Sequence, residues 1–299
     1  MTKLLTQFRE LLFWPFAFAV SPRFIQLKIL RYLETSPNFH AEATKSMLVN
    51  LPHFLPEADL LQAARTLRRV LLIDAADVFF SIFRSKKSLP HWVTCTSAPE
   101  TGQSTLILSA HRGNGWWLLP QLAAQGEPVH FVIAPPSPPA NLIDYFLWPI
   151  KRLRWRLLNK IGGVPLVSAK GAIQVTRDIF SQNGRILALI DLPSTVARPS
   201  LPVPFFSRTA FMPRRLIDTA LEAGASIYYC RSDFSPSDFK VHIEFVKIDM
   251  HLGAQAVFET YARLLEADIC SQPGSWHAWG HVQLFFNDTA LSPDMREST

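Results

Sequence analysis

The segment STLILSAHRGNGWWLLPQLAAQG (104–126) decides how the rest of the chain is read. It opens on an unbroken apolar run, STLILSA (104–110), the pattern of a strand buried on both faces. It turns through His111, Arg112, Gly113, Asn114 and Gly115, then continues as WWLLPQLAAQG (116–126), a helix stopped by Gly126. Strand, glycine-rich turn and helix in that order are the unit from which layered α/β folds are built.

The alternation continues downstream. VHFVIA (129–134) is a strand ending at PPSPP, NLIDYFLWPIKRLRWRLLNK (141–160) a helix, and Val164 to Val167 a short strand. AIQVTRDIFSQ (172–182) follows as a helix and RILALID (185–191) as another buried strand. LPSTVARPSLPVPFF (192–206) is a Pro-rich loop, and a helix near Pro213 to Ala223 has Gly224 as its C-cap. SIYYCR (226–231) and KVHIEFVKID (240–249) fit an antiparallel pair at the sheet edge. The last helix, QAVFETYARLLEADIC (255–270), carries Phe258, Tyr261, Leu264, Leu265 and Ile269 on one side. The expected fold class is α/β, a central and mostly parallel or mixed sheet flanked by helices, with a helical N-terminal extension. The expected domains are that extension, 1–90, and an α/β domain, 91–299.

Within the extension, LLQAARTLRRVLLIDAADVFFSIF (60–83) spaces Leu60, Ala64, Leu67, Leu71, Ala75, Val78 and Ile82 as one helical face, with Arg65, Arg68 and Arg69 between them. LLFWPFAFAV (11–20) is continuously apolar, but it is broken by Pro15 and much shorter than the roughly 20 residues a spanning helix needs. It is either an interfacial anchor lying in the headgroup region or a helix packed on the core.

Composition narrows the partners. The chain has 299 residues, 48% of them hydrophobic, and a net charge of +6; 22 Phe and 8 Trp beside 30 Lys and Arg suit an apolar or lipid-surface partner. No helix-turn-helix, zinc-finger or RNP-like pattern points to nucleic acid. Cys95, Cys230 and Cys270 stand far apart, without a CxxC pair or a zinc-like Cys/His spacing, and are expected to be reduced thiols rather than metal ligands.

His111 falls at the carboxyl end of a strand, where open α/β sheets form their ligand crevice. Gly113 and Gly115 permit close approach of a substrate, and the helix that follows offers unpaired N–H groups. The turn is neither GxGxxG nor a Walker A loop, and no GxSxG elbow occurs. On these grounds His111 is either a base or a turn residue. His277 and His281 flank Trp279 at i, i+4, but no third metal ligand accompanies them, which favours a structural role.

Several segments, in order, resemble one family. HRGNGWWL is similar to the H-x-G-N-W-E block of the bacterial lipid A biosynthesis acyltransferases, a branch of the lysophospholipid acyltransferase-like proteins. VPLVSAKGAIQVTRDIFSQNGRILALIDLP resembles their basic residue and Gly before a helix, then a Gly, a buried strand and an Asp. LPVPFFSRTAFMPRRLIDTALEAGASIYYCR and QPGSWHAWGHV resemble the later blocks, so that the likeness spans about residues 60 to 285.

The resemblance implies acyl transfer from an acyl-carrier-protein or CoA thioester to a hydroxyl or amine acceptor. It places the protein peripherally at the cytoplasmic face of the bacterial inner membrane, in a specialised lipid or secondary-metabolite pathway. No permanently bound cofactor and no metal are implied; the donor is a phosphopantetheine-linked acyl thioester. His111 becomes the general base, a role worth about 10²–10⁴ in rate. The family's carboxylate five residues after the histidine is replaced here by Trp116. Asp191, which matches a family Asp, is then the first candidate for the catalytic partner of His111. The alternatives are that His111 works without a relay on a more reactive acceptor, or that the protein is catalytically silent and binds a carrier protein or partner enzyme.

Further expectations attach to named residues. Arg112, Asn114, Trp116, Lys170 and Gly171 are expected to bind substrate. Arg112, Lys170 and Gly171 would contact phosphate, and Asn114 would hold the turn or donate to an oxyanion. Lys151, Arg152, Arg154, Trp155 and Arg156 are expected to face an anionic membrane or the acidic surface of an acyl carrier protein.

Overall fold

The strands in chain order are β1 (Val93–Cys95), β2 (Thr105–Ser109), β3 (Val129–Ile133), β4 (Gly163–Val167), β5 (Arg185–Leu189), β6 (Ser200–Phe205), β7 (Arg208–Pro213), β8 (Ser226–Ser235) and β9 (Lys240–Ile248). The helices are α1 (Thr2–Phe8), α2 (Trp14–Val20), α3 (Arg23–Thr35), α4 (Ala41–Asn50), α5 (Leu60–Phe83), α6 (Leu118–Ala123), α7 (Leu142–Ile161), α8 (Ala172–Ser181), α9 (Arg215–Glu222) and α10 (Gly253–Ser271). This is a computed structural model that describes residues 2–83, 91–126, 128–133, 138–140, 142–161, 163–167, 171–193, 199–251 and 253–286.

Among the described residues the main sheet has seven strands in the order β1-β9-β8-β2-β5-β3-β4. All neighbours run parallel except β8 and β9. The expected mixed α/β sheet flanked by helices is therefore present. Strand β2 lies at its centre, and all five of its residues are buried, as its uninterrupted apolar run requires. Alternate side chains go to opposite faces. Leu106 and Leu108 join the core formed with α8, α9 and α10, whereas Ile107 joins Trp116, Leu118, Leu122 and Leu158 on the other side.

Two expectations about strands are corrected. The antiparallel β8–β9 pair is not the edge, because the three-residue β1 pairs with β9 in parallel, Val93 opposite Val241. The stretch 192–206 is not all loop: β6 and β7 form an antiparallel ribbon, with Val203 opposite Ala210 and Phe205 opposite Arg208. Pro202 and Pro204 are exposed at alternate positions while Val203 and Phe205 are buried. In a two-stranded ribbon alternate N–H groups have no ladder partner, so prolines there cost little.

Helix α5 also departs from expectation. Leu60 and Ile82, assigned to the inner face, are exposed, whereas Arg68 and Asp77 are buried. The helix packs against α2, α3, α4 and α7, so no side of it is left as one solvated stripe. Met47, Leu51, Ala63, Ala64 and Leu67 belong to the same core as Leu106 and Ile186. The segment 47–67 thus contributes side chains to the core beneath the sheet.

The N-terminal helix is continuous from α1 to α2 through a π-helical turn, Arg9–Phe13. Phe18 and Ala19 are buried against α5, with Phe18 edge-on to Phe80. Leu5, Phe8, Phe13, Phe16 and Val20 remain exposed. Among the described residues no helix is long and apolar enough to cross a membrane. Cys95, Cys230 and Cys270 are free.

Candidate active site

Strands β2 and β5 are parallel neighbours in which Ser109 stands opposite Leu189. Two residues further along each chain come His111 and Asp191, so the sheet register alone brings them together at its carboxyl edge. The backbone N–H of His111 donates to Oδ1 and Oδ2 of Asp191, each at 2.9 Å, and Nδ1 lies 2.8 Å from Oδ1. Trp276 Nε1 donates to Oδ2 at 2.9 Å. The Asp191 side chain is wholly buried, whereas 42% of the His111 side chain reaches solvent.

With Nδ1 facing a carboxylate, the neutral imidazole carries its proton there and keeps its lone pair on Nε2. Nε2 has no hydrogen bond to a described residue. Burial works to lower the pKa of His111, but the charge of Asp191 and the hydrogen bond to it outweigh burial, with Asp74 adding, so the net shift is upward. An imidazole must be deprotonated to act as a base, so a reaction that uses this one is expected to rise with pH through a midpoint above the ordinary histidine value of about 6.5. A kcat/KM profile checks this; an acid limb centred below that value contradicts it.

The turn that presents His111 is pinned on both sides. Gly113 N donates to Ser275 O at 2.9 Å, Asn114 N to Ser232 O at 3.1 Å, and His277 N to His111 O at 2.8 Å. Arg112 pairs with Trp276 as an isolated antiparallel bridge. Gly113 has φ +59°, and a Cβ there would stand 1.8 Å from Ser232 O.

Most of the expected binding residues take other roles. Arg112 is buried, donating to Asp233 Oδ2 at 2.7 Å and to Asp268 O at 3.3 Å, so it anchors the turn to β8 and α10. Asn114 is fully buried and its amide donates to Val70 O, which fixes the turn on α5 instead of serving an oxyanion. Trp116 is turned into the core with Nε1 donating to Ser81 Oγ at 2.8 Å, so it neither replaces the missing acid nor lines an open groove. Gly171 is exposed with φ +93° at the start of α8, and Lys170 lies outside the described residues.

On α7, Lys151, Arg152 and Arg156 are exposed as expected. Arg154 is not among them: it forms a two-pronged pair with Asp74 at 2.9 and 3.2 Å, and its guanidinium lies 5.0 Å from the Trp116 ring centre. Trp155 is half-buried against the apolar cluster under the sheet. The position of Arg154 follows from the helical period, which puts it on the same side of α7 as the buried Leu157 and Leu158.

Two further ionisable groups, Asp74 and Asp77, carried no assignment from the sequence, and His277, read there as structural, joins them near His111. Burial alone would raise the carboxyl of Asp74, but Arg154 holds it below its usual range. Asp77, wholly buried and accepting from Trp117 Nε1 at 2.6 Å, is pushed well up by burial and by the nearby charge of Asp74. Burial lowers His277, which sits close enough to His111 and Asp74 to feel both. Two aspartates three apart in the apolar run VLLIDAADVFF were the available signal, since buried carboxylates are kept where they have partners. The described residues include no group of three His, Cys, Asp or Glu side chains able to hold a metal ion.

The whole site can accept a proton at Nε2 while a buried carboxylate steadies the resulting imidazolium. No protein-family model matches the chain, and no curated protein matches it in sequence.

Proposed function

We propose that the protein is an acyltransferase in which His111 is the general base, Asp191 orients it, and an acyl-carrier-protein or CoA thioester is the donor. The observation that carries the proposal is the 2.8 Å contact between His111 Nδ1 and Asp191 Oδ1. It supplies, from the neighbouring strand, the carboxylate that position 116 lacks. In the step proposed, Nε2 takes the proton of an acceptor hydroxyl or amine as that atom attacks the thioester carbonyl. Collapse of the tetrahedral intermediate breaks the C–S bond, and the imidazolium returns the proton to the departing thiolate, leaving an ester or amide and a free thiol.

Peripheral attachment to the cytoplasmic face of a bacterial inner membrane is part of the same proposal. The exposed Lys151, Arg152 and Arg156, and the exposed apolar side chains of α1 and α2, suit an anionic lipid surface. The acidic face of an acyl carrier protein is a second match for the same basic residues.

Incubation of the protein and its His111→Ala variant with acyl-carrier thioesters, followed by intact mass, tests the proposal. Acyl loss from the carrier is expected with the unaltered protein and about 10²–10⁴ more slowly with the variant. Equal rates would remove His111 from the chemistry. Carrier binding without turnover by either protein would instead make this a binding protein with a silent site.

A further inference from the structure

We propose that Trp276 is a positioning residue for the proposed base, its indole N–H holding the buried Asp191 carboxylate so that Oδ1 faces His111 Nδ1. As a contribution to catalysis this rests on His111 acting as the base; as a statement about the imidazole it stands alone.

A carboxylate's two oxygens are equivalent, so what can vary is the rotation of its plane about a terminal torsion that is broad. The backbone N–H of His111 reaches Oδ1 and Oδ2 at the same 2.9 Å and sits between them. The plane is turned so that one oxygen meets each remaining donor, Trp276 Nε1 on Oδ2 at 2.9 Å and His111 Nδ1 on Oδ1 at 2.8 Å. An indole nitrogen only donates, so Trp276 cannot compete as an acceptor for the Nδ1 proton. A hydroxyl or amide in its place could.

The indole is itself immobilised. Trp276 is fully buried, edge-on to Trp279 at 5.0 Å between ring centres and to Phe205 at 5.9 Å. Its backbone bridges to Arg112, and the next residue's N–H donates to His111 O at 2.8 Å. Indole and imidazole therefore hang from one short ribbon, which fixes the distance between them independently of the substrate.

The ionisable groups facing the imidazole are Asp191 beyond β5, Asp74 from α5 with its partner Arg154 from α7, and His277 from the segment after α10. Removing the indole N–H touches Asp191 alone among them and leaves Asp74, Arg154 and His277 in place, so a change in His111 titration can be assigned to the Asp191 carboxylate.

The test replaces Trp276 by β-(3-benzothienyl)alanine, which keeps the bicyclic shape and substitutes sulfur for the N–H, beside the simpler Trp276→Phe. Nitrogen-15 spectra of His111 and acyl-transfer kinetics are read on the same samples. The isostere is expected to fold normally, to populate both imidazole tautomers instead of the Nδ1–H form, and to titrate closer to an ordinary histidine. kcat is expected to fall about 10–100-fold, the range seen when an outer hydrogen-bond partner is removed, with KM unchanged. A folded isostere with unaltered tautomer and midpoint overturns the inference, whatever happens to Trp276→Phe. If the tautomer shifts but no thioester is turned over by the unaltered protein, Trp276 keeps its role and acyl transfer is the claim that fails.

Discussion

In the Asp191→Asn protein, kcat for the proposed acyl transfer is expected to fall by about 10⁴ with KM little changed, the magnitude found when the carboxylate behind a catalytic histidine is made an amide. Asparagine has nearly the same shape, and its carbonyl oxygen still accepts from the backbone N–H of His111 or from Trp276. When that oxygen accepts from Trp276 Nε1, the NH₂ group faces Nδ1. Two donors cannot share that contact, so the imidazole proton moves to Nε2, the atom that has to take one from the acceptor. The raised proton affinity of His111 depends on the charge of Asp191, so the residual activity should also show an acid limb displaced to lower pH. Paired kcat and pH profiles measure both, and a loss smaller than tenfold would show that Asp191 is only a structural partner. Asp191→Ala is the less useful variant, because it leaves the buried Trp276 N–H and His111 N–H without acceptors at about 1–3 kcal/mol each.

Gly113→Ala is expected to be strongly destabilising, on the order of 4 kcal/mol or more. The new methyl would stand 1.8 Å from the carbonyl oxygen of Ser232, a backbone atom in β8 that also accepts from Asn114 N. Relief requires the turn to move away from β8, which breaks the Asn114 contact and carries His111 with it. A left-handed φ of +59° adds strain for any residue with a Cβ. Gly126→Ala is the control: φ there is +89° but nothing lies within 4 Å of the added atom, so only the backbone strain remains, about 1 kcal/mol. Urea unfolding of both variants measures the difference. Similar midpoints for the two would mean that the turn yields to the methyl more easily than its three backbone hydrogen bonds suggest.

The central unit of the fold was legible because its signals are local and strong. The apolar runs of β2, β3 and β5 each read as strands, and the helices between them follow from the helical period. Asp191 could be picked out as a partner for His111 from its place at the end of such a run, though only the parallel register of Ser109 with Leu189 makes the contact. Elements that depend on neighbours were not legible. Three residues of β1 are too few to show a period, and the prolines of β6 conceal a strand whose alternation survives around them. Arg154 was placed with the outward cations of α7 because charge is a local property, whereas its pairing with Asp74 joins two helices eighty positions apart. Trp276 gave no polar signal at all. Its one hydrogen-bonding atom matters only through the carboxylate it meets.

The π-helical turn at Arg9–Phe13 has a geometric consequence for the face that the N-terminal helix turns outward. A residue inserted into one turn sets everything before it back by about 100° relative to an uninterrupted α-helix. Leu5 and Phe8 precede the insertion, and Phe13, Phe16 and Val20 end or follow it. With the extra residue the two groups form one row along the helix; removing a single residue would swing Leu5 and Phe8 a quarter-turn away from the rest. The wider turn thus acts as a phase correction, keeping five partly exposed apolar side chains in one row, Phe16 at its border meeting Phe79 and Phe83, while Phe18 and Ala19 stay against α5.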